Sequence, residues 1–456
     1  MYVFWHQRDL RVPDNRGLAL AASEERVLPV FVVDADVPDQ VGARQRAFIY
    51  DGVRALKQAY RERGSDLLVR PGPAAQVLAD VVEEYDADCV YYNEHYHPER
   101  RERQRRVDET VPSRSVVDRV LVDPGTLESR YRNHSRFFED WRTREKLPPA
   151  DGPADGALVA FADGETPPTE EADVDLPAAG YDAARERYDR FLADGIETYA
   201  DTRDDMAAAV DRPVGAVSRL SPYLATGMLG IREVWADATD RYRAVAGDSE
   251  RNVEKFRYEL SWREGNYHLL YHNPTLPTEN YKSFPNAIPW ESDPEHVAAW
   301  KAGETGYPLV DAGMRQLNAE GYVHNRPRQN VASFLTKHLL TDWRVGERYF
   351  AEQLLDYDPA NNAANWQWTA STGTDSVDVR IFDPVAQMAK YDAGADYVTA
   401  YVPELRGVDP GKVVEWPNLS DDERARVAPD YPHPIVDRNA AYERAQRVFE
   451  TALGKR

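Results

Sequence analysis

Residues 365–375 read NWQWTASTGTD, two indoles flanking one glutamine in a stretch otherwise small and polar. Side chains two positions apart cannot point the same way, whether the backbone is helical or extended. Trp366 and Trp368 therefore face different surroundings. By themselves the two rings read as core packing, but DYDPANNAANWQW (356–368) sets two carboxylates and three asparagines ahead of them. Three further stretches are too polar for plain core. In FRYELSWREGNYHLL (256–270) the apolar residues recur at helical spacing, with Glu259, Trp262, Arg263 and Glu264 interleaved. Glu259 shares a helix face with Trp262 at i+3 and with Arg263 at i+4. That suits either a surface ion pair or a pocket wall made of an acid, a flat ring and a cation. GYVHNRPRQN (321–330) puts a histidine, an amide and two arginines on a turn into a helix, whose free N–H groups and positive dipole end attract phosphate. VGAVSRLSPYLATG (214–227) sets Ser218 and Ser221 around Arg219, a generic anion cradle that is weak alone.

The elements that must position these residues fall into two patterns. Over the first 130 residues, apolar runs YVFWH (2–6), VLPVFVVD (27–34), DLLVR (66–70) and CVYYN (89–93) alternate with amphipathic helical segments, which predicts a parallel α/β sheet of Rossmann-like type. No G-x-G-x-x-G follows the first run, so a pyrophosphate is not held there in the dinucleotide manner. Residues 148–180, rich in Pro, Gly, Ala and acid, read as a linker. From about 182 the pattern is helical, and in VASFLTKHLL the residues Val331, Phe334, Leu335 and Leu339 share one face, with Asn325 and Pro327 near the helix start. The expected division is an α/β domain over 1–130, a connecting region over 131–182 and an all-α domain over 183–456. RRERQRR (100–106) reads as a solvated helix face.

The 456 residues carry a net charge of −22, with 78 acidic residues against 56 basic ones, only nine of them lysine. An acidic, lysine-poor surface suits high salt, and it argues against an obvious nucleic-acid binder, since phosphate contacts need clustered cations. One cysteine, Cys89, excludes an internal disulfide and cysteine-built metal sites and suits a reducing cytoplasm. Neither a signal-peptide pattern nor an apolar run of membrane-spanning length is expected.

Taken together, VSRLSPYLATG, ELSWREGNYHLL, TGYPLVDAGMRQL, GYVHNRPRQNVASFL, DWRVGERYF, ANNAANWQWTASTGTD and RIFDPVAQ resemble DNA photolyases of the photolyase/cryptochrome family, and the opening WHQRDLRVPDN resembles that family's first strand and loop. The resemblance covers nearly the whole chain, weakening in the linker and the last fifty residues. It implies one FAD, folded in a U shape, in the helical domain. Tyr199, Val217, Ser218, Arg219, Leu220 and Ser221 would hold its phosphates and ribityl side, and Arg263 would sit beside the isoalloxazine. Phe256, Arg328, Asp356, Tyr357 and Asp358 complete the implied cofactor set, with Arg328 paired to Asp356. Asn362 matches the asparagine facing flavin N5. A reduced anionic flavin needs a cation and amide donors near its charged edge, and asparagine cannot donate a proton as an aspartic acid could.

Photolyases extrude damaged bases into a pocket, most cheaply where pairing is already poor. Glu259, Trp262, Arg263, Asn325, Arg326 and Trp368 match lesion-side positions, and Arg203 and Gln387 match DNA-contacting ones. By the same resemblance Trp366 begins an electron-hopping chain through Trp343 to Trp290. Enzymes for the (6-4) photoproduct carry two histidines around the turn that here holds Asn325 and Gln329. The implied substrate is thus the cyclobutane pyrimidine dimer in UV-damaged DNA, split by a lyase reaction driven by light-excited reduced FAD without any metal. The alternatives are a cryptochrome-type photoreceptor, or an enzyme for the (6-4) lesion or for single-stranded DNA. A second antenna chromophore is expected, a deazaflavin rather than a folate, because NEHYHPER (93–100) departs from the folate pattern. A monomer is the default. Departures from the family pattern are Val217, Phe256 and Tyr322; the first leaves one phosphate contact open.

Overall fold

The computed structural model describes residues 1–34, 41–375 and 377–455. The four apolar runs form parallel strands β1 (Tyr2–His6), β2 (Val27–Val33), β3 (Leu68–Pro71) and β4 (Cys89–Asn93), joined by helices α1 (Arg16–Glu24), α2 (Ala43–Arg61) and α3 (Ala74–Glu84). All but the first residue of YVFWH is buried, as befits a parallel strand covered on both faces. A fifth strand, β5 (Ser113–Val116), follows helix α4 (Pro98–Asp108). The sequence gives no sign of β5: SRSV is polar, only partly buried, and lies at the sheet edge. The strand order is β3-β2-β1-β4-β5, so the winding reverses between β1 and β4, with Val3 opposite both Leu28 and Val90. The sheet core is built on Val3, Trp5, Leu28, Val30, Leu78 and Tyr92.

The chain divides into two compact units, the first comprising Met1–Glu197, Ser218–Thr275 and Leu355–Ala360, the second Thr198–Val217, Leu276–Leu354 and Asn361–Arg456. Within the first unit, the stretch read as a connecting region holds α5 (His134–Thr143), capped by the Asn133 side chain, and then runs against the sheet domain. Leu158 bridges to Val27. Asp163 meets Lys57 and Arg70, Glu170 meets Arg46, and Asp173 meets Arg44. The acidic composition therefore matches basic residues of α2 and β3. After helix α6 (Tyr181–Asp194) come helices Ile231–Ala244 and Asp248–His272. Arg232 pairs with Asp14 at 2.7 Å and Asp118 at 2.5 Å, and Arg11 with Asp118 at 2.6 Å, all four groups buried. Removing one partner from such a network leaves a buried charge uncompensated.

In the second unit the described residues form helices, with the main core on Leu309, Val385, Tyr397, Val398, Leu405 and Trp416. Val331, Phe334, Leu335 and Leu339 are all buried as the spacing predicts, although the helix Asn325–Ser333 widens into a π-turn over Phe334–His338. The cap of that helix is the His324 side chain rather than Asn325, which is its first residue. Among the described residues, no helix is long and apolar enough to cross a membrane, and no cluster of three His, Cys, Asp or Glu could hold a metal ion.

Candidate functional site

In the first unit, the helix Asp248–His272 begins with Asp248 and Glu250 in its first turn, where carboxylates offset the helix dipole. Phe256 is buried against Phe191, ring centroids 5.0 Å apart. The shared face of Glu259 and Arg263 does not make them the closest pair. Glu259 meets Lys255 at 2.6 Å, one turn earlier. Arg263 donates to the Arg119 carbonyl at 3.0 Å, meets Glu264 at 3.3 Å and lies 4.7 Å over the Tyr267 ring. Glu264 is a buried clamp, accepting from the backbone of Leu121 at 2.8 Å and Val122 at 3.3 Å, and burial raises its pKa. Trp262 is half-buried and stacks on His134.

Arg119 carries the polar chain further. Its Nε donates to the Tyr267 hydroxyl at 2.7 Å, and its Nη2 lies 3.6 Å from Asp358. The Tyr267 hydroxyl also hydrogen-bonds Asp358, and burial first, with Asp358 beside it, pushes the phenol up to about 12. The backbone of Leu355 and Tyr357 is tied to this unit by Gln45 Nε2, at 2.9 and 2.8 Å. Tyr357 and Asp358 are buried, Asp356 half-buried. In the turn 218–221, Arg219 takes a left-handed φ of 47°, Ser218 Oγ accepts from Leu220 N–H at 3.4 Å, and Ser221 starts the short helix Ser221–Thr226.

A cavity of about 600 Å³ opens at the C-terminal ends of the strands, lined among others by Arg8, Asp34, His95, Arg100, Arg103 and Asp358. The reading of 100–106 as a solvated face holds for Arg101, Arg105 and Arg106, which are exposed, whereas Arg100 and Arg103 are half-buried and line the cavity, with Arg106 at its border. Arg103 is held by Asp34 at 2.7 Å and lies 4.8 Å over Trp5. Burial, then Arg119, lowers Arg8 to about 10. Both ring nitrogens of buried His95 lack a partner.

In the second unit, the helix Pro359–Ala370 carries Asn362, Trp366 and Trp368. Together with Asn325, Arg328 and Gln329 they border one small pocket. Asn362 Nδ2 donates to the carbonyl of Glu347 at 3.0 Å and to its Oε1 at 3.1 Å. The two indoles have different neighbours, as their spacing requires. Trp366, buried, meets Phe350 at 5.0 Å and Trp300 at 6.2 Å. Trp368, half-buried, lies under the Arg380 guanidinium at 4.8 Å. Between them Gln367 is a buried tie, donating to Leu276 O at 2.7 Å and Glu279 O at 2.8 Å. Trp343 is fully buried, its Nε1 donating to Asn280 at 2.9 Å, and Trp290 packs edge-on against Phe449 at 5.8 Å. Arg328 lies 5.9 Å over Phe350. Arg326 is gripped by Asp204 through two bonds of 2.8 and 2.5 Å. Arg203, at the end of the helix Tyr199–Thr202, is 3.5 Å from the same carboxylate and 5.7 Å over Tyr199. Val217 and Gln387 are half-buried.

Asp204, Arg380, His134, Arg8 and Arg119 escaped the sequence reading. Arg8 and Arg380 stood in quoted motifs without being singled out; Asp204, His134 and Arg119 are single polar residues whose relevance depends on what the fold brings to them.

A five-stranded parallel α/β region followed by a helical region whose polar residues cluster around paired indoles makes a two-part α/β and all-α protein, and its relatives give the family. Residues 2–154 match the family model described as DNA photolyase, and residues 256–451 the one described as FAD binding domain of DNA photolyase. The chain belongs to the DNA photolyase family. It is 42% identical to a deoxyribodipyrimidine photo-lyase of Halobacterium salinarum, over all of both chains. A bacterial class III photolyase from Agrobacterium tumefaciens is similar in structure, with TM-score 0.87 and 33% identity over 100% of this chain and 98% of that one. So is an archaeal photolyase from Sulfolobus tokodaii described with two FAD molecules, with TM-score 0.84 and 30% identity over 99% of each.

Proposed function

We propose that this protein is a deoxyribodipyrimidine photo-lyase that binds FAD and repairs cyclobutane pyrimidine dimers in DNA under light. The observation that carries the reading is the second unit's small pocket, where Asn325, Arg328, Asn362, Trp366 and Trp368 converge. The pocket, of about 20 Å³, is too small to enclose a whole ring, so it is the residue types at its border, flat rings and amides with a single cation, that suit the edge of a planar, hydrogen-bonding ligand such as flavin or pyrimidine. When bound, FAD supplies the light-excited electron donor for ring opening. The protein's own residues orient and shield. Asn362 commits its N–H₂ to Glu347, so the carbonyl oxygen is the atom it offers, and it brings no proton. Asp358, fixed by Tyr267 and near Arg119, is an acceptor for a cofactor N–H or hydroxyl, and Arg263 is the proposed cation. Trp366 and Trp343 are buried and Trp290 is half-buried, which suits Trp290 as the surface end of a path carrying an electron inward.

On the lesion side, Trp262 and Trp368 are proposed stacking platforms, Glu259 an acceptor toward the pyrimidine pair, and Arg203, Arg326 and Gln387 contacts to the DNA backbone. Tyr199 and residues 217–221 are the proposed phosphate and ribityl contacts. The cavity at the strand ends would take the antenna chromophore. Open α/β sheets bind ligands outside their carboxyl ends where the winding reverses, and mutually repelling buried arginines with an unpartnered His95 favour a planar anion. A deazaflavin meets that description better than a folate. We assign the protein to the cytoplasm as a monomer. Purified holoprotein mixed with a thymine-dimer oligonucleotide should restore thymines under blue or near-UV light and not in the dark. An illuminated sample that retains all its dimer overturns the reading.

A further inference from the structure

We propose that His134 is a positioning residue for lesion binding: its imidazole backs the Trp262 indole and fixes the plane on which an extruded pyrimidine stacks. The proposal rests on the repair reading above, which makes Trp262 a stacking platform. The rings of His134 and Trp262 lie parallel, centroids 3.6 Å apart and planes 10° apart. One comes from the start of α5, the other from the middle of the helix Asp248–His272. One face of the indole is therefore already occupied by protein.

The imidazole is itself held on several sides. Its Nε2 lies 3.0 Å from Ser261 Oγ, and that hydroxyl donates to the Tyr258 carbonyl at 2.6 Å. A hydroxyl has a single proton; with it committed to Tyr258, Nε2 must be the donor and His134 the Nε2–H tautomer. Tyr258 meets the imidazole edge-on at 5.5 Å, and Phe137 lies 5.6 Å away. Below it stands Gly265, where a β-carbon would come within 3.2 Å of His134 Nδ1. That glycine, one turn beyond Ser261, leaves the room the imidazole occupies. Burial keeps the ring neutral, its pKa lowered to about 3, so the platform carries no charge of its own. A base landing on an indole already locked in one orientation orders less on binding than one landing on a mobile ring.

The test compares wild-type holoprotein with His134→Ala and His134→Phe. Three quantities are measured: affinity for dimer-containing and undamaged oligonucleotides, repair per absorbed photon at saturating oligonucleotide, and FAD content. His134→Ala should weaken dimer binding roughly tenfold, about 1.4 kcal/mol, with affinity for undamaged DNA, saturated repair and FAD content unchanged. His134→Phe, which keeps a flat ring behind the indole, should return dimer affinity to within about twofold of wild type. Wild-type dimer affinity in His134→Ala overturns the proposal, as does a His134→Phe variant impaired as badly as the alanine one. A wild-type protein that does not prefer dimer DNA overturns instead the repair reading beneath it.

Discussion

Gly346 lies on the helix Trp343–Gln353, and a β-carbon built there would fall 2.1 Å from Cη2 of Trp366, 2.5 Å from its Cζ3 and 2.7 Å from Cδ2 of Leu335. Comfortable carbon–carbon contact begins at about 3.5 Å, so in Gly346→Ala the indole must retreat by more than about 1 Å. Trp366 is only 3% exposed and already meets Phe350 and Trp300. Two effects oppose each other. Helix propensity favours alanine over glycine by about 1 kcal/mol, whereas overpacking a close-packed core costs about 1–3 kcal/mol. A rigid bicyclic ring wedged on several sides belongs at the upper end, which leaves a net loss of about 2 kcal/mol. In a unit of roughly 200 residues that lowers the melting temperature by about 4–8 °C. The assay is thermal unfolding followed by tryptophan emission, with light-driven flavin reduction measured alongside. Gly164, where an added β-carbon meets nothing within 4 Å, is the control, and Gly164→Ala should shift stability by no more than about 0.5 kcal/mol. A Gly346→Ala protein as stable as wild type or more so, reducing its flavin at the normal rate, would refute the reasoning that Trp366 is seated against this glycine.

Four other outcomes follow from the geometry. Asp204→Asn frees Arg326 from its two-bonded carboxylate, so DNA affinity at low salt should rise and the log–log salt slope steepen by about one; an unchanged slope would mean that Arg326 meets no phosphate. Wild type, with its arginines so tied and a charge of −22, should lose little lesion affinity between moderate and molar salt, and a steep fall measured by titration would count against pocket-driven binding. Trp343→Phe should slow light-driven flavin reduction at least tenfold while leaving dimer repair by chemically pre-reduced enzyme intact, and equal slowing of both would remove Trp343 from the electron path. Asp311 is buried and accepts from Thr305 N–H at 2.8 Å and Tyr431 at 2.5 Å, yet burial lifts its pKa from 3.8 to about 6. A folded-state value above the unfolded one means the native state holds the proton more tightly. This contribution to stability is complete below about pH 4 and is lost as the pH rises through 6. Asp311→Asn should therefore abolish that part of the pH 4–6 slope in melting temperature, and an unaltered slope would show that Asp311 stays ionised throughout.

The parts of the molecule legible in the sequence are those whose signal is local. β1 to β4 announce themselves because a strand buried on both faces must be apolar along its length, and the face of Val331, Phe334, Leu335 and Leu339 because burial on a helix recurs with its turn. β5 is silent for the converse reason: a four-residue edge strand with three polar residues and one valine leaves no pattern. In the acidic stretch 148–180 composition reports solvation and not pairing: Asp163, Glu170 and Asp173 have partners about a hundred residues away. The run 100–106 is solvated at Arg101, Arg105 and Arg106, as its charge suggests, but Arg100 and Arg103 line a cavity that no local rule foresees. For the candidate site, residue types told which chemistry was on offer, and family motifs told which positions to watch. What neither could tell is how each group is tuned. Glu259 meets Lys255, Arg326 is half-neutralised by Asp204, and Trp262 is backed by an imidazole from a helix more than a hundred residues earlier. Asp204 and His134 lie far from their partners in sequence and close in space, so they carry no motif of their own, and they decide how strongly a lesion is held once the motif residues have decided what is held.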